Sequence, residues 1–223
     1  FTDRTQVVRR RCMKNSLPAS VLAYGEALWW NRAKLQRWVD TFVCPSSFMA
    51  QKMRACGYDY TKLAVICNFI EQDKLEAFRS DELQAFSAEP YYCYVGRLSE
   101  EKGIRLLLDV ARSLPYPLYV AGDGPLADEL RGKYASEKIH FLGHLSSQEV
   151  VQLVSRARAM VIPSVWYENN PLSVIESLCM GTPVIGSEVG GIPELIREGD
   201  GCLFRMGDKE ELEAAITAMM DNS

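Results

Sequence analysis

Apolar and polar positions along the chain follow two periods, and the order in which those periods succeed one another predicts the architecture. "SVLAYGEALWWNRAKLQRW" repeats its apolar residues at helical spacing, and "DTFVCPS" reads as a short strand. "SSFMAQKMRACG" reads as a helix capped by Ser46 or Ser47 and stopped by Gly57, and "KLAVICNFI" as a strand. Residues 71–90, "EQDKLEAFRSDELQAFSAEP", are polar and acidic without a strand pattern, which suits a connector. The alternation then restarts. Strands are predicted at "YYCYVGRL", "PLYVAG", "IHFLG", "AMVIPS", "TPVIGS" and "GCLF". Helices are predicted between and after them at "GIRLLLDVARSL", "PLADELRGKYA", "SSQEVVQLVSRA", "NPLSVIESLCMG", "GIPELIREG" and "DKEELEAAITAMM". Six strands alternating with helices imply an α/β fold with a doubly wound parallel six-stranded sheet covered on both faces.

Composition narrows the class without changing that picture. The 223 residues are 48% apolar and 24% charged, as in a globular chain, and no apolar run is long enough to span a bilayer. The chain opens on Phe1 rather than Met, as a fragment of a longer protein would. Seven cysteines, at 12, 44, 56, 67, 93, 179 and 202, are scattered without zinc-site spacing and read as buried, reduced thiols of a cytoplasmic protein. His140 and His144 are four apart, but they fall on a strand ending at Gly143 rather than on one helix face, so the expected metal complement is none. Residues 1–38 carry a net charge of +6 and the rest −10. That basic start holds Tyr24, Trp29, Trp30 and Trp38, and two readings stand: a surface meeting anionic lipid or an anionic acceptor, or a solvated helix whose aromatics pack on a domain. No nucleic-acid-binding motif accompanies the charge.

In doubly wound sheets ligands sit beyond the C-terminal ends of the strands, so the strand-to-helix loops are the candidate chemistry. In "VGRLSEEKG", Gly96 permits a sharp turn, while Arg97 and Lys102 offer a guanidinium fork and a compact ammonium that suit a diphosphate. "AGDGPLADEL" contains Gly122, Gly124 and Ala127 at dinucleotide-fingerprint spacing. It follows the second strand of its sheet, however, has Pro125 in the turn, and offers His140 where an acid should bind ribose, so it reads as a Gly-rich turn. In "VWYENNPLSVIESLCMG", Asn170 is a good N-cap and Pro171 a good first helical residue, which makes the helix start an anion site. Glu176 lies within the first two turns among Leu172, Val174, Ile175 and Leu178, where a carboxylate needs a partner such as a ribose hydroxyl. Glu168 stands just ahead of the helix and suits the hydroxyls of a sugar. The plainer alternative is that Glu176 points to solvent and Glu168 decorates a loop.

Together, "GRLSEEKG", "AGDGPL", the Glu168–Glu176 pair at E-x7-E spacing, "MGTPVIGSEVGGIPE", "CPSSFMAQKM" and "VICNFI" resemble glycosyltransferase family 4, the retaining nucleotide-sugar transferases of GT-B fold. The resemblance implies two Rossmann-like domains. Residues 1–70 would be the end of an N-terminal acceptor-side domain, 71–90 a linker, and 91–223 the C-terminal nucleotide-sugar-binding domain. It also implies that Arg97 and Lys102 bind the donor diphosphate, Glu176 the ribose and Glu168 the donor sugar. Gly190 and Gly191 would support Glu168 and the phosphates. Gly96, Asn170, Pro171 and Leu172 would line the donor site, and the base would be read near Gly143, His144 and Leu145. Family members usually carry Gly-Phe-Gly or a similar run after the first acid, where this chain has Asn169, Asn170 and Pro171. The implied reaction moves a hexose from a nucleoside diphosphate sugar to a hydroxyl of a carbohydrate or lipid-linked acceptor, with no cofactor and no metal, in polysaccharide or lipopolysaccharide assembly. Its implied place is the cytoplasm or the inner face of the membrane. Another GT-B activity, epimerase or phosphorylase, or a non-catalytic binding module are the alternatives.

Overall fold

The computed structural model describes residues 5–78, 87 and 89–221. The chain divides into two compact units: one formed by the residues up to Cys44 together with Ala50–Val65, the other by Pro45–Met49 together with the residues from Ile66 onward.

The first unit contains α1 (Gln6–Arg9), α2 (Leu17–Trp29), α3 (Arg32–Trp38), β1 (Phe42–Cys44), most of α4 (Ser47–Ala55) and β2 (Leu63–Val65). β1 and β2 pair in parallel, Phe42 opposite Leu63. This is a partial second Rossmann-like domain. The single helical pattern read across residues 20–38 is broken at Trp30, because the Asn31 side-chain oxygen accepts the Lys34 N–H at 3.0 Å and starts a new helix. Trp29, Trp30 and Trp38 are 65%, 50% and 74% exposed, so the expectation that the aromatics pack on a domain does not hold for these three among the described residues, whereas Tyr24 is half-buried. Lys34 Nζ instead lies 3.7 Å from the centre of the Trp29 ring. No helix among the described residues is long and apolar enough to cross a membrane.

The second unit opens with α5 (Gln72–Phe78), within the stretch read as a connector; residues 79–86 and 88 of that stretch lie outside the described residues. There follow β3 (Tyr92–Val95), α6 (Ile104–Ala111), β4 (Leu118–Ala121), α7 (Ala127–Tyr134), β5 (Ile139–Gly143) and α8 (Ser147–Ser155). β6 (Ala159–Ile162), α9 (Leu172–Cys179), β7 (Val184–Ser187), β8 (Gly201–Phe204) and α10 (Lys209–Asp221) complete it. The strands form one parallel sheet in the order β5-β4-β3-β6-β7-β8. The period of two sorts β3 between the layers: Tyr92 and Tyr94 join a core with α6 and α10, while Tyr91 and Cys93 join one with α8. Ser146 and Glu149 close α8 with a reciprocal capping box.

Three sequence expectations need correction. "KLAVICNFI" is strand only at Leu63–Val65, since the residues after it leave the ladder and Asn68 bonds elsewhere. "GIPELIREG" forms only a 3-10 turn, Ile192–Glu194, which tucks Ile192 and Ile196 into the core below β7 and leaves Glu194 to accept the Ser47 and Phe48 N–H groups at 2.7 and 2.6 Å. The cysteines are not uniformly buried. Cys44 and Cys93 are, and burial pushes both thiols up, but Cys12, Cys56, Cys67 and Cys179 are exposed. Alkylation of the folded chain with iodoacetamide should therefore modify those four and spare Cys44 and Cys93, which peptide mass mapping would read directly. Protection of all seven would contradict the observed burial.

Candidate functional site

The strand order reverses between β3 and β6, and in doubly wound sheets that reversal opens a crevice at the strand ends. The loops that leave these two strands meet there. Gly103 has φ +66°, and a Cβ on it would lie 1.9 Å from the Pro163 carbonyl oxygen, so only glycine lets the backbones touch. The Val165 N–H donates to the Glu101 carbonyl at 3.1 Å beside it. Lys102 and Glu168, one from each loop, form an ion pair with Nζ 2.6 Å from Oε1. The buried Ser164 hydroxyl donates to the same oxygen at 2.9 Å, and the Ser164 carbonyl accepts the Ser187 hydroxyl at 2.7 Å. Glu168 is held from behind as well. Its carbonyl accepts the Gly191 N–H at 2.7 Å, and a Cβ on Gly190 would stand 2.1 Å from that oxygen.

A second group of predicted residues lies on the other side of β3. Val95, Gly96, Arg97, Asp123, His144 and Leu145 line a cavity of about 310 Å³. The glycines at fingerprint spacing close it by packing loop against loop: a Cβ on Gly122 would meet the Gly96 oxygen at 1.9 Å, and one on Gly124 the Leu98 oxygen at 2.4 Å. The Gly143 carbonyl accepts the Gly122 N–H at 2.7 Å, which ties in the loop that carries His144. Beneath, the Tyr94 hydroxyl donates to the Arg97 carbonyl at 2.8 Å. Burial, then the Glu168 and Glu101 carboxylates, push the Tyr94 phenol above its ordinary range, so it acts as a neutral support. Hydrogen bonding from Ser99 holds the Glu101 carboxyl below the usual range. His140 stacks on Tyr119, ring centres 4.7 Å apart, away from this lining.

The start of α9 differs from the sequence reading. Asn170 is not the N-cap and Pro171 is not the first helical residue; Pro171 occupies the cap with ψ 121°, and the helix begins at Leu172. The reason is that the Asn170 side-chain oxygen already accepts the Asn68 N–H, at 2.9 Å, and the Asn170 carbonyl accepts from the Asn68 side chain at 2.7 Å. Leu172 is half exposed, and Glu176 is half-buried on the second turn. The predicted residues thus fall in three places. Lys102 and Glu168 touch; Gly96, Arg97 and His144 surround the cavity, with Gly143 adjoining it; Asn170, Pro171, Leu172 and Glu176 sit at the start of α9. Sequence reasoning missed Ser164, Tyr94, Ser187 and Asn68, whose partners are 3 to 102 positions away.

A six-stranded Rossmann-like unit, with a partial second one, defines the GT-B class of α/β folds. The glycosyl transferases group 1 family matches residues 77–223, and the chain belongs to that family. Among curated relatives, the sulfoquinovosyl transferase SQD2 of Arabidopsis thaliana is 28% identical over 198 residues, covering 83% of this chain and 39% of SQD2. The D-rhamnosyltransferase WbpZ of Pseudomonas aeruginosa is 35% identical over 104 residues, covering 45% of this chain and 27% of WbpZ. The chain therefore spans two fifths or less of these relatives. The crystal structure of the Anabaena protein HepE in complex with UDP shares the fold, with a TM-score of 0.71 at 19% identity over 84% of this chain and 56% of that one.

Proposed function

We propose that this chain is the donor-binding part of a retaining, family 4 glycosyltransferase that transfers a hexose from a nucleoside diphosphate sugar to an acceptor hydroxyl. The observation that carries the reading is the Lys102–Glu168 ion pair, set across the point where the strand order reverses. The Lys102 ammonium, with donors beyond its bond to Glu168, and the exposed Arg97 guanidinium at the neighbouring cavity suit the oxygens of a diphosphate. Glu168, oriented by Ser164 and Gly191, accepts hydroxyls of the donor sugar, and Glu176 accepts those of the ribose. The N–H groups of the first turn of α9 add partial positive charge. These groups stabilise the negative charge that builds on the departing diphosphate, and the two cations do this without a metal.

The UDP bound to HepE, and the rhamnosyl and sulfoquinovosyl transferase activities named for the relatives, support a nucleotide-sugar donor and glycosyl transfer. A cytoplasmic setting with peripheral membrane contact through α2 and α3, where Trp29, Trp30 and Trp38 are exposed near Lys34 and Arg37, belongs to the same proposal. Calorimetric titration of the chain with UDP, GDP and ADP, each with and without EDTA, tests the donor site. One diphosphate should bind, more tightly than its nucleoside and equally well with EDTA. Binding of none would overturn the reading, and binding only with added divalent metal would overturn its metal-free form.

A further inference from the structure

We infer that Asn68 is a positioning residue of the donor site and that it works through Asn170, whose buried side-chain nitrogen is the hydrogen-bond donor a bound diphosphate sugar completes; the inference rests on the reading above. The two asparagines, 102 positions apart, are joined twice: the Asn68 N–H reaches Asn170 Oδ1 at 2.9 Å, and Asn68 Nδ2 reaches the Asn170 carbonyl at 2.7 Å. The first bond fixes which way the Asn170 amide faces, since Oδ1 must point at Asn68 and Nδ2 must then point away from it. Asn170 is only 4% exposed, and its Nδ2 has no hydrogen-bond partner among the described residues. A buried amide nitrogen without an acceptor is costly and calls for an acceptor from outside the chain, and at the start of α9 that acceptor is the ligand.

The placement says which ligand. Asn170 lies two residues before the first residue of α9 and two after Glu168, between an N-terminal turn that favours anions and a carboxylate held for hydroxyls. A donor there meets an oxygen of the diphosphate or of the sugar attached to it. Asn68 itself is exposed, so a role confined to core packing does not explain it. The second bond, to the Asn170 carbonyl, keeps the backbone from drifting as the ligand enters. Asn68 thus serves the segment as Gly191 serves Glu168, from the opposite end of residues 168–170.

A double-mutant cycle on the 223-residue chain, titrated with whichever of UDP, GDP and ADP the unaltered chain binds and with the corresponding diphosphate glucose, tests this. Asn170→Ala should weaken binding about tenfold, about 1.4 kcal/mol. Asn68→Ala keeps the main-chain N–H bond to Asn170 Oδ1 and loses only the bond to the Asn170 carbonyl, so it should cost a smaller factor, and the double variant no more than Asn170→Ala alone. The unliganded melting temperature of Asn68→Ala should stay near that of the unaltered chain while the ligand-induced rise shrinks. Multiplicative losses in the double variant would overturn the inference. So would a lowered unliganded melting point with an unchanged ligand-induced rise, or full affinity in Asn170→Ala. Should Asn68→Ala fail to fold, Asn68→Ser, too short to reach the Asn170 carbonyl, supplies the same comparison. If the unaltered chain binds none of the diphosphates, the donor-site reading falls and takes this inference with it; if it binds one and the cycle is multiplicative, only this inference falls.

Discussion

Replacing Lys102 with alanine is expected to weaken nucleoside diphosphate binding by about 1.5–3 kcal/mol, the worth of a hydrogen bond to a charged group, and to leave the free nucleoside almost unaffected. The structure adds a reason for the upper half of that range. Lys102 Nζ sits 2.6 Å from Glu168 Oε1, so its removal takes a cation from the phosphates and also leaves the half-buried Glu168 with, among the described residues, the Ser164 hydroxyl alone bonded to that oxygen. A carboxylate stripped of its counter-charge then repels the incoming diphosphate. Adding Glu168→Gln to the Lys102→Ala variant should recover part of the lost affinity, which two independent sites would not do. Calorimetry with the diphosphate and the nucleoside side by side decides it, and equal losses for the two ligands would sink the phosphate assignment.

Gly191→Ala is expected to lower both stability and binding, through backbone rather than charge. A Cβ at that position would lie 1.8 Å from the Asn169 carbonyl oxygen and 3.1 Å from the Ser46 Cβ. Neither is the far end of a flexible side chain, so the 168–170 backbone has to move. Overpacking of this kind costs about 1–3 kcal/mol, and at roughly 2–4 °C per kcal/mol for a chain of this size the melting temperature should fall by about 2–12 °C. The displaced segment carries Glu168 away from Ser164 and Lys102, so diphosphate affinity should drop in parallel. Gly132→Ala is the control: it lies inside α7, with nothing within 4 Å of the added Cβ, and should stabilise by about 0.5–1 kcal/mol. If Gly191→Ala melts and binds like the unaltered chain, the support ascribed to the 190–191 turn is wrong.

The periods of two and 3.6 along residues 91–221 were enough to read six parallel strands and most of the helices between them, because each segment buries one face and repeats its apolar residues accordingly. Arg97, Lys102, Glu168 and Glu176 were also legible as candidates, since polar groups at strand ends and helix starts stand out against apolar runs. The same pattern misread residues 192–199, where Ile192 and Ile196 are four apart as on a helix face, yet the segment holds only a 3-10 turn. It also ran one helix through Trp30, where a local cap at Asn31 overrules periodicity.

Which candidates touch was beyond the sequence. Lys102 and Glu168 are 66 positions apart and become an ion pair only because β3 and β6, far apart in the chain, are neighbours in the sheet. Asn170 has the side chain of a helix cap and the position of one, and it fails to cap because Asn68, 102 residues earlier, takes its oxygen. Local sequence specifies what a residue is able to bond, since hydrogen-bonding groups and preferred dihedrals are properties of a few neighbouring residues. The partner it does bond is settled by strand order and close backbone approach, as at Gly103 and Gly191, where the absence of a Cβ lets two distant loops meet.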